Sequence, residues 1–397
     1  MSMTRHAIDR RVFLQTAVVG TAAYGWGRAM PGIAGEKAKS LTIQEPFHGA
    51  VLNHRHGVQT ADGLMIRVSG EAPSGEQVTV NGVPAKRAGK GFIAQVMLRD
   101  NETDLVAVAA GPAGRAEQRV RVVWDRFSQP RYRFSIDDNS FFLRDIAQQG
   151  YRSLFDCWYL KMLRDLNRKY GVKYTVNIYY TTGSDFSLPQ FSARYQGEWR
   201  DNAHWLKLAF HAYADKPDRP YQDTPPEKLI ADLDLVAAEI HRFAGAESYA
   251  PPTVIHWAMT RPSVFKPLAS RGVRVLSGSF KYGGRYDINY RLSDEVSEYL
   301  SRHNAWKDFE SGIVFSLASI TCNKVPVERI AATLEPQAED PNTAEIMDLF
   351  THEQYFWPFY KHYLPDHPQR IEAAIRWVTE HGYKPVFFHE GFLGGRA

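Results

Sequence analysis

The feature that most constrains this chain is a change of hydrophobic period near residue 125. From Leu41 to Trp124, apolar residues recur at every second position in short runs: Leu64–Ser69, Gln77–Val80, Phe92–Leu98, Asp104–Ala109 and Gln118–Val123. A period of two marks strands with one buried face. Asn81-Gly82 supplies two residues that tolerate positive φ, as a tight hairpin requires. Many short strands separated by turns predict a small all-β sandwich over 41–124. After Trp124-Asp125, strand-like runs alternate with helix-like ones. Arg133–Asp137, Lys173–Tyr179, Leu206–His211, Thr253–His256, Val273–Leu276, Gly312–Ser316, Ile346–His352 and Lys384–His389 read as strands. Ser153–Tyr170, Pro226–Ala244 and His367–His381 carry helical stripes. Such alternation predicts parallel strands joined by crossovers. The span 130–397 is therefore expected to be an α/β fold, a distorted (β/α) barrel, whose chemistry sits where strands end.

The N-terminus reads as an address. Arg10-Arg11 precedes the weakly apolar run Thr16–Ala23, and Gly32-Ile33-Ala34 offers small residues for cleavage. This pattern predicts a twin-arginine export signal over 1–34 and a periplasmic or secreted protein. No later stretch is long and apolar enough for a membrane-spanning helix. The two cysteines, Cys157 and Cys322, exclude a disulfide framework and any Cys-x-x-Cys site, and they read as free buried thiols. A net charge of +4 without a dense Lys/Arg block argues against a nucleic-acid partner. Aromatics, 13% of the chain, cluster in the second half and suit a site that stacks on sugar rings.

The strand ends carry an unusual polar set. Asp137-Asp138, His211, His256-Trp257 and His352-Glu353 each close an apolar run. Burying so many ionisable groups would cost several kcal/mol apiece unless they are paired or metal-bound.

Ser135-Ile-Asp137-Asp138 resembles the first motif of the polysaccharide deacetylases, carbohydrate esterase family 4 and its relatives. In that family a strand ends in two aspartates, the first a base and the second a metal ligand. His211-Ala-Tyr-Ala-Asp215 sits where the family carries two metal-binding histidines. Thr253–Gly278 follows its middle section, and Leu349-Phe-Thr-His352 resembles its closing motif, whose histidine is the acid. Ile371–Phe388 matches its ending, so the resemblance runs from about Arg133 to Glu390. It implies Asp137 as base, His352 as acid, and a divalent ion, zinc first, on Asp138, His211 and Asp215. Two departures stand out. An aspartate replaces the second metal histidine, and His256 replaces the family's middle arginine, with Arg261 a few residues later. Val78–Pro84 also resembles the Ig-like modules appended to secreted carbohydrate enzymes.

Chemistry agrees with that implication. Carboxylate and imidazole suit a borderline divalent ion, and three protein ligands leave room for water and substrate. The expected substrate is a polysaccharide or oligosaccharide, with His256, Trp257, Tyr179, Arg261 and Tyr355 as contact residues. A glycoside hydrolase using Asp137 and Glu353 as its carboxylate pair, with Glu390 in reserve, is the main alternative. A sugar-binding protein without catalysis is the second.

Overall fold

Alternating side chains decide the first part of the architecture. The computed structural model describes residues 41–112, 114–280 and 287–390, and the expected export signal lies outside them. One sheet orders Thr42–Glu45, Gly63–Glu71, Gly91–Leu98 and Lys86–Ala88, with Gly57–Thr60 paired to Gly63–Glu71. A second orders Val51–Leu52, Gly114–Trp124, Glu102–Gly111, Gln77–Val80 and Val83–Pro84. Leu64, Ile66 and Val68 of the first and Val78, Val80 and Leu105 of the second are buried in one cluster. Each such side chain is worth roughly 1.5–3 kcal/mol when fully buried. A one-residue slip would turn the whole set outward, so the register is firmly specified. Asn81 and Gly82, at φ 49° and 79°, close the hairpin between Val80 and Val83.

The second part is a mixed α/β body. A parallel sheet runs Leu206–Ala212, Tyr174–Tyr179, Arg131–Asn139, Ile346–His352, Ile320–Thr321, and Lys384–Pro385 pairs with the start of the central strand. Its central strand is buried along almost its whole length, because it has neighbours on both edges and packing on both faces. A separate sheet joins Val275–Gly278, Val314–Leu317 and Ala305–Lys307.

Several expected elements take a different form. Thr253–His256 is not a strand, because Pro251-Pro252 removes two donors just before it. Its backbone still links neighbours: Ala250 N–H donates to Leu208 O at 2.9 Å, and Ser277 N–H donates to Thr253 O at 2.7 Å. Lys384–His389 pairs only over Lys384–Pro385. The Ser153–Tyr170 stripe divides into a turn at Leu154–Asp156 and the helix Trp158–Tyr170. The helix Phe141–Gln149 was not expected from the period. It buries Phe142, Leu143 and Ile146. Pro226–Ala244 is one helix, as its stripe indicates.

Candidate active site

In a regular strand Asp137 and Asp138 would point to opposite faces. Pairing with Tyr174–Tyr179 matches Ile136 to Val176 but Asn139 to Ile178, so the central strand carries an extra residue there. Asp138 absorbs the bulge at φ 59°, a left-handed backbone that aspartate tolerates better than most residues. Both carboxylates thereby line one cavity of about 450 Å³. Strand Leu206–Ala212 has a matching irregularity: Ile178 pairs with Phe210, but Tyr179 pairs with Ala212. His211 sits at that step and lines the same cavity.

Three side chains converge there. Asp138 Oδ1 lies 3.0 Å from His211 Nε2 and 3.4 Å from His256 Nδ1, and the two imidazole nitrogens are 3.0 Å apart. His211 Nδ1 is 3.2 Å from Val254 O, and His256 Nε2 is 3.2 Å from Asp215 O. A backbone carbonyl only accepts, so each imidazole commits its N–H to that contact. Two bare nitrogen lone pairs and a carboxylate oxygen then face one another. Tyr179 O–H donates to Asp138 and also lies 3.2 Å from His256 Nδ1. Such a cluster can hold a cation between its atoms, either a shared proton or a metal ion.

The electrostatics follow from that geometry. Burial alone would raise Asp138, but the His211 hydrogen bond and the imidazoles of His352, His211 and His256 hold it well below the carboxylate range. Burial would lower His211, yet Asp137 and Asp138 raise it overall. Burial and the neighbouring His211 push His256 down to about 3, so it rests neutral. One carboxylate oxygen and two imidazole nitrogens are the donor set a zinc-like ion takes. Asp138, His211 and His256 are thus residues that could hold a metal.

Asp137 lies beside this group, with Oδ2 3.9 Å from His211 Nε2. Burial, with the Asp138 charge adding to it, pushes its carboxyl up to about 6. His352 is the direct neighbour of Asp137 across the parallel pairing. Its Nδ1 is 3.0 Å from Asn323 Oδ1, an acceptor, so Nδ1 carries the proton. Burial pushes His352 down to about 4. Gln354 Nε2 donates to Asp138 Oδ2 at 2.7 Å from the turn that follows.

Four of the expected site residues lie away from the convergent atoms. The Asp215 carboxylate is 62% exposed and stands apart from the convergent atoms. Asp215 supplies its backbone carbonyl to His256 instead, and His256 Nδ1 is the third of the convergent atoms. Glu353 is fully buried, but it faces away from the cavity. It accepts backbone N–H bonds from Ser140, Phe141 and Phe142 at 2.6–2.9 Å and the Trp357 indole N–H at 3.1 Å. It therefore closes the N-terminus of helix Phe141–Gln149, a role that needs a carboxylate for the helix's free donors. Arg261 donates to Asp223 O and does not line the cavity. Glu390 pairs with Lys173 at 2.8 Å, also outside it.

Trp257 and Tyr355 do line the cavity, with Tyr360 and Lys361. Trp257 is 38% exposed at φ 66°, with the Arg219 guanidinium 5.6 Å from its ring centre. Asn177, Thr253, Asn323 and Gln354 were missed, because amides and hydroxyls inside apolar runs give no periodic signal. A larger cleft of about 1180 Å³ lies between the sandwich and the body, lined by Glu45, Arg67, Tyr299 and Asp340 among others. Among the described residues it holds no convergent set of metal-ligating atoms.

No protein-family model matches the chain, and no curated protein matches it. Among solved structures, it is similar to a candidate polysaccharide deacetylase involved in O-antigen biosynthesis from Bordetella bronchiseptica. That likeness has 12% identity and a TM-score of 0.28, over 63% of this chain and 84% of that one. A candidate α-galactosidase from Bacteroides fragilis aligns at 9% identity and a TM-score of 0.21, over 86% of this chain and 79% of that one. Likenesses at these TM-scores carry no argument about activity, which rests on the site itself.

Proposed function

We propose that this protein is an exported hydrolase that removes acyl groups from a polysaccharide or oligosaccharide with the help of one divalent ion. The observation that carries the reading is the cluster of Asp138 Oδ1, His211 Nε2 and His256 Nδ1, three acceptors within bonding reach of one ion. The buried carboxylate of Asp137 and the half-buried imidazole of His352 stand next to it. A bound zinc ion would lower the pKa of water and polarise an acyl carbonyl.

The chain's own residues supply the rest. Asp137 takes a proton from the attacking water through Oδ2, and its raised pKa suits a general base near neutral pH. His352 hands a proton to the departing amine or alkoxide. At rest it is neutral with its one N–H on Asn323, so it first takes up a proton from solvent at Nε2, favoured by negative charge developing on the substrate, and then passes that proton on. Trp257, Tyr355 and Tyr360 provide apolar faces for sugar rings. Tyr179 is buried and holds Asp138 rather than substrate.

The distorted-barrel reading draws support from the segment Ala250–Thr253, whose backbone bonds join the two sheets of the body. The Ig-like reading of 41–124 draws support from its two sheets around one core. Twin-arginine export remains the proposal of Arg10-Arg11 and the run after it. The test is release of acetate from acetylated glycans by purified protein before and after chelation. Chelator-sensitive release supports the reading, and glycan cleavage that survives chelation overturns it.

A further inference from the structure

Period two places Arg133, Ser135 and Asp137 on one face of the central strand. Arg133 is committed elsewhere: its Nε and Nη2 donate to Asp348 at 2.6 and 2.7 Å, and Nη2 to Ser316 at 2.6 Å. Among the described residues the one ion-pair partner of Asp137 is His211, at 3.9 Å. The carboxylate is instead gripped by neutral groups.

Asn177 Nδ2 donates to Asp137 Oδ1 at 2.7 Å, and Ser135 Oγ donates to the same oxygen at 3.1 Å. Asn177 Nδ2 also lies 2.8 Å from Thr253 Oγ1, and Thr253 Oγ1 lies 2.9 Å from Ser135 Oγ. Asn177 Nδ2 lies 2.9 Å from Ser135 Oγ as well, so the amide gives one hydrogen to Asp137 and its second to the hydroxyl pair of Thr253 and Ser135, which share a hydrogen bond in which either can donate. Thr253 N–H reaches back to Asn177 Oδ1 at 3.4 Å. All four residues are buried, and they come from two strands and the segment after Pro252. Oδ1 is thereby saturated, and Oδ2 is left on the side of His211.

We propose that Asn177, held by Thr253 and Ser135, is the positioning residue of Asp137: it fixes Oδ1 and so aims Oδ2 at the proton to be removed. This rests on the reading of Asp137 as base. A base displaced by about 1 Å can cost about 10²-fold in rate.

The experiment compares Asn177→Ala, Thr253→Val and Thr253→Ser in the full chain, using 4-nitrophenyl acetate and acetylated xylan. Asn177→Ala is expected to lower kcat about 10–100-fold, with KM and metal content unchanged. Thr253→Val should follow in the same direction, and Thr253→Ser should keep wild-type kcat because it keeps the hydroxyl. A crystal structure of Asn177→Ala should show the Asp137 carboxylate rotated while Asp138, His211 and His256 stay in place. An unmoved carboxylate, or an unchanged kcat in a metal-loaded variant, overturns the proposal. Should Asn177→Ala not fold, the structure of Thr253→Val against Thr253→Ser decides in its place. If wild type releases acetate from neither substrate, the deacylase reading fails, and the carboxylate's position in the variant structures still decides the positioning claim.

Discussion

Asp137 and Asp138 are adjacent in sequence, yet they face the same cavity, because a bulge and a left-handed backbone re-aim the second one. Their environments then separate them: burial raises Asp137 to about 6, while hydrogen-bonded imidazoles keep Asp138 ionised. In the proposed reading, Asp137 moves the proton and Asp138 binds the ion. Asp137→Asn should therefore lower kcat roughly 10²–10⁴-fold with metal content near normal, as read by steady-state kinetics beside metal analysis. His352→Ala should give a loss of the same order. The residue types at the strand ends were legible in the sequence because each closes an apolar run. The third member of the convergent set was not. The resemblance pointed to Asp215, and the backbone turn at His256–Ala258, with Trp257 and Ala258 at positive φ, brings His256 there instead.

At the scale of elements, Glu353 shows how a buried carboxylate can be structural. Four N–H groups converge on it at the start of helix Phe141–Gln149. Glu353→Gln should destabilise the fold by about 1–3 kcal/mol in urea unfolding while folded enzyme keeps most of its kcat. A loss of kcat matching that of Asp137→Asn, at unchanged stability, would restore it as a reacting group. A second element, helix His367–Glu380, begins with a buried histidine that meets Thr351 Oγ1 at 2.8 Å. Burial and then Arg370 and His352 push His367 down to about 3, against a counter-pull from Asp366. Its folded pKa lies below its unfolded one. The neutral form thus contributes stability that is fully present above about pH 6.5 and is lost as pH falls toward about 3. Melting temperature should drop across that window, and His367→Gln should flatten the drop. Most strands and the helix Pro226–Ala244 could be read from period, but Thr253–His256 could not, since Pro251-Pro252 removes the donors before it. The helix Phe141–Gln149 could not, because the carboxylate that closes it comes from far along the chain.

For the whole molecule, the change of period near residue 125 gives no sign of how the segments before and after it attach. Trp306 Nε1 donates to His48 O at 2.6 Å, and Lys307 pairs with Glu102 at 2.5 Å. Arg55 pairs with Glu345 at 2.5 Å, and the Glu345 side chain is 3% exposed. These partners are far apart in sequence, so no local pattern announces them. Removing 41–124 would strip Arg55 from a buried carboxylate, and truncation at Trp124 should lower the melting temperature by several degrees or more. A truncated chain as stable as the full one would mean these contacts contribute nothing.

The central claim is that Asp138, His211 and His256 together hold one divalent ion, with Asp215 outside the set. Metal content measured on purified wild type, His256→Ala and Asp215→Ala tests it most directly. The account predicts about one zinc-like ion per chain in wild type and in Asp215→Ala, and little in His256→Ala. Retention in His256→Ala with loss in Asp215→Ala, or no retained ion in any of the three, would contradict it.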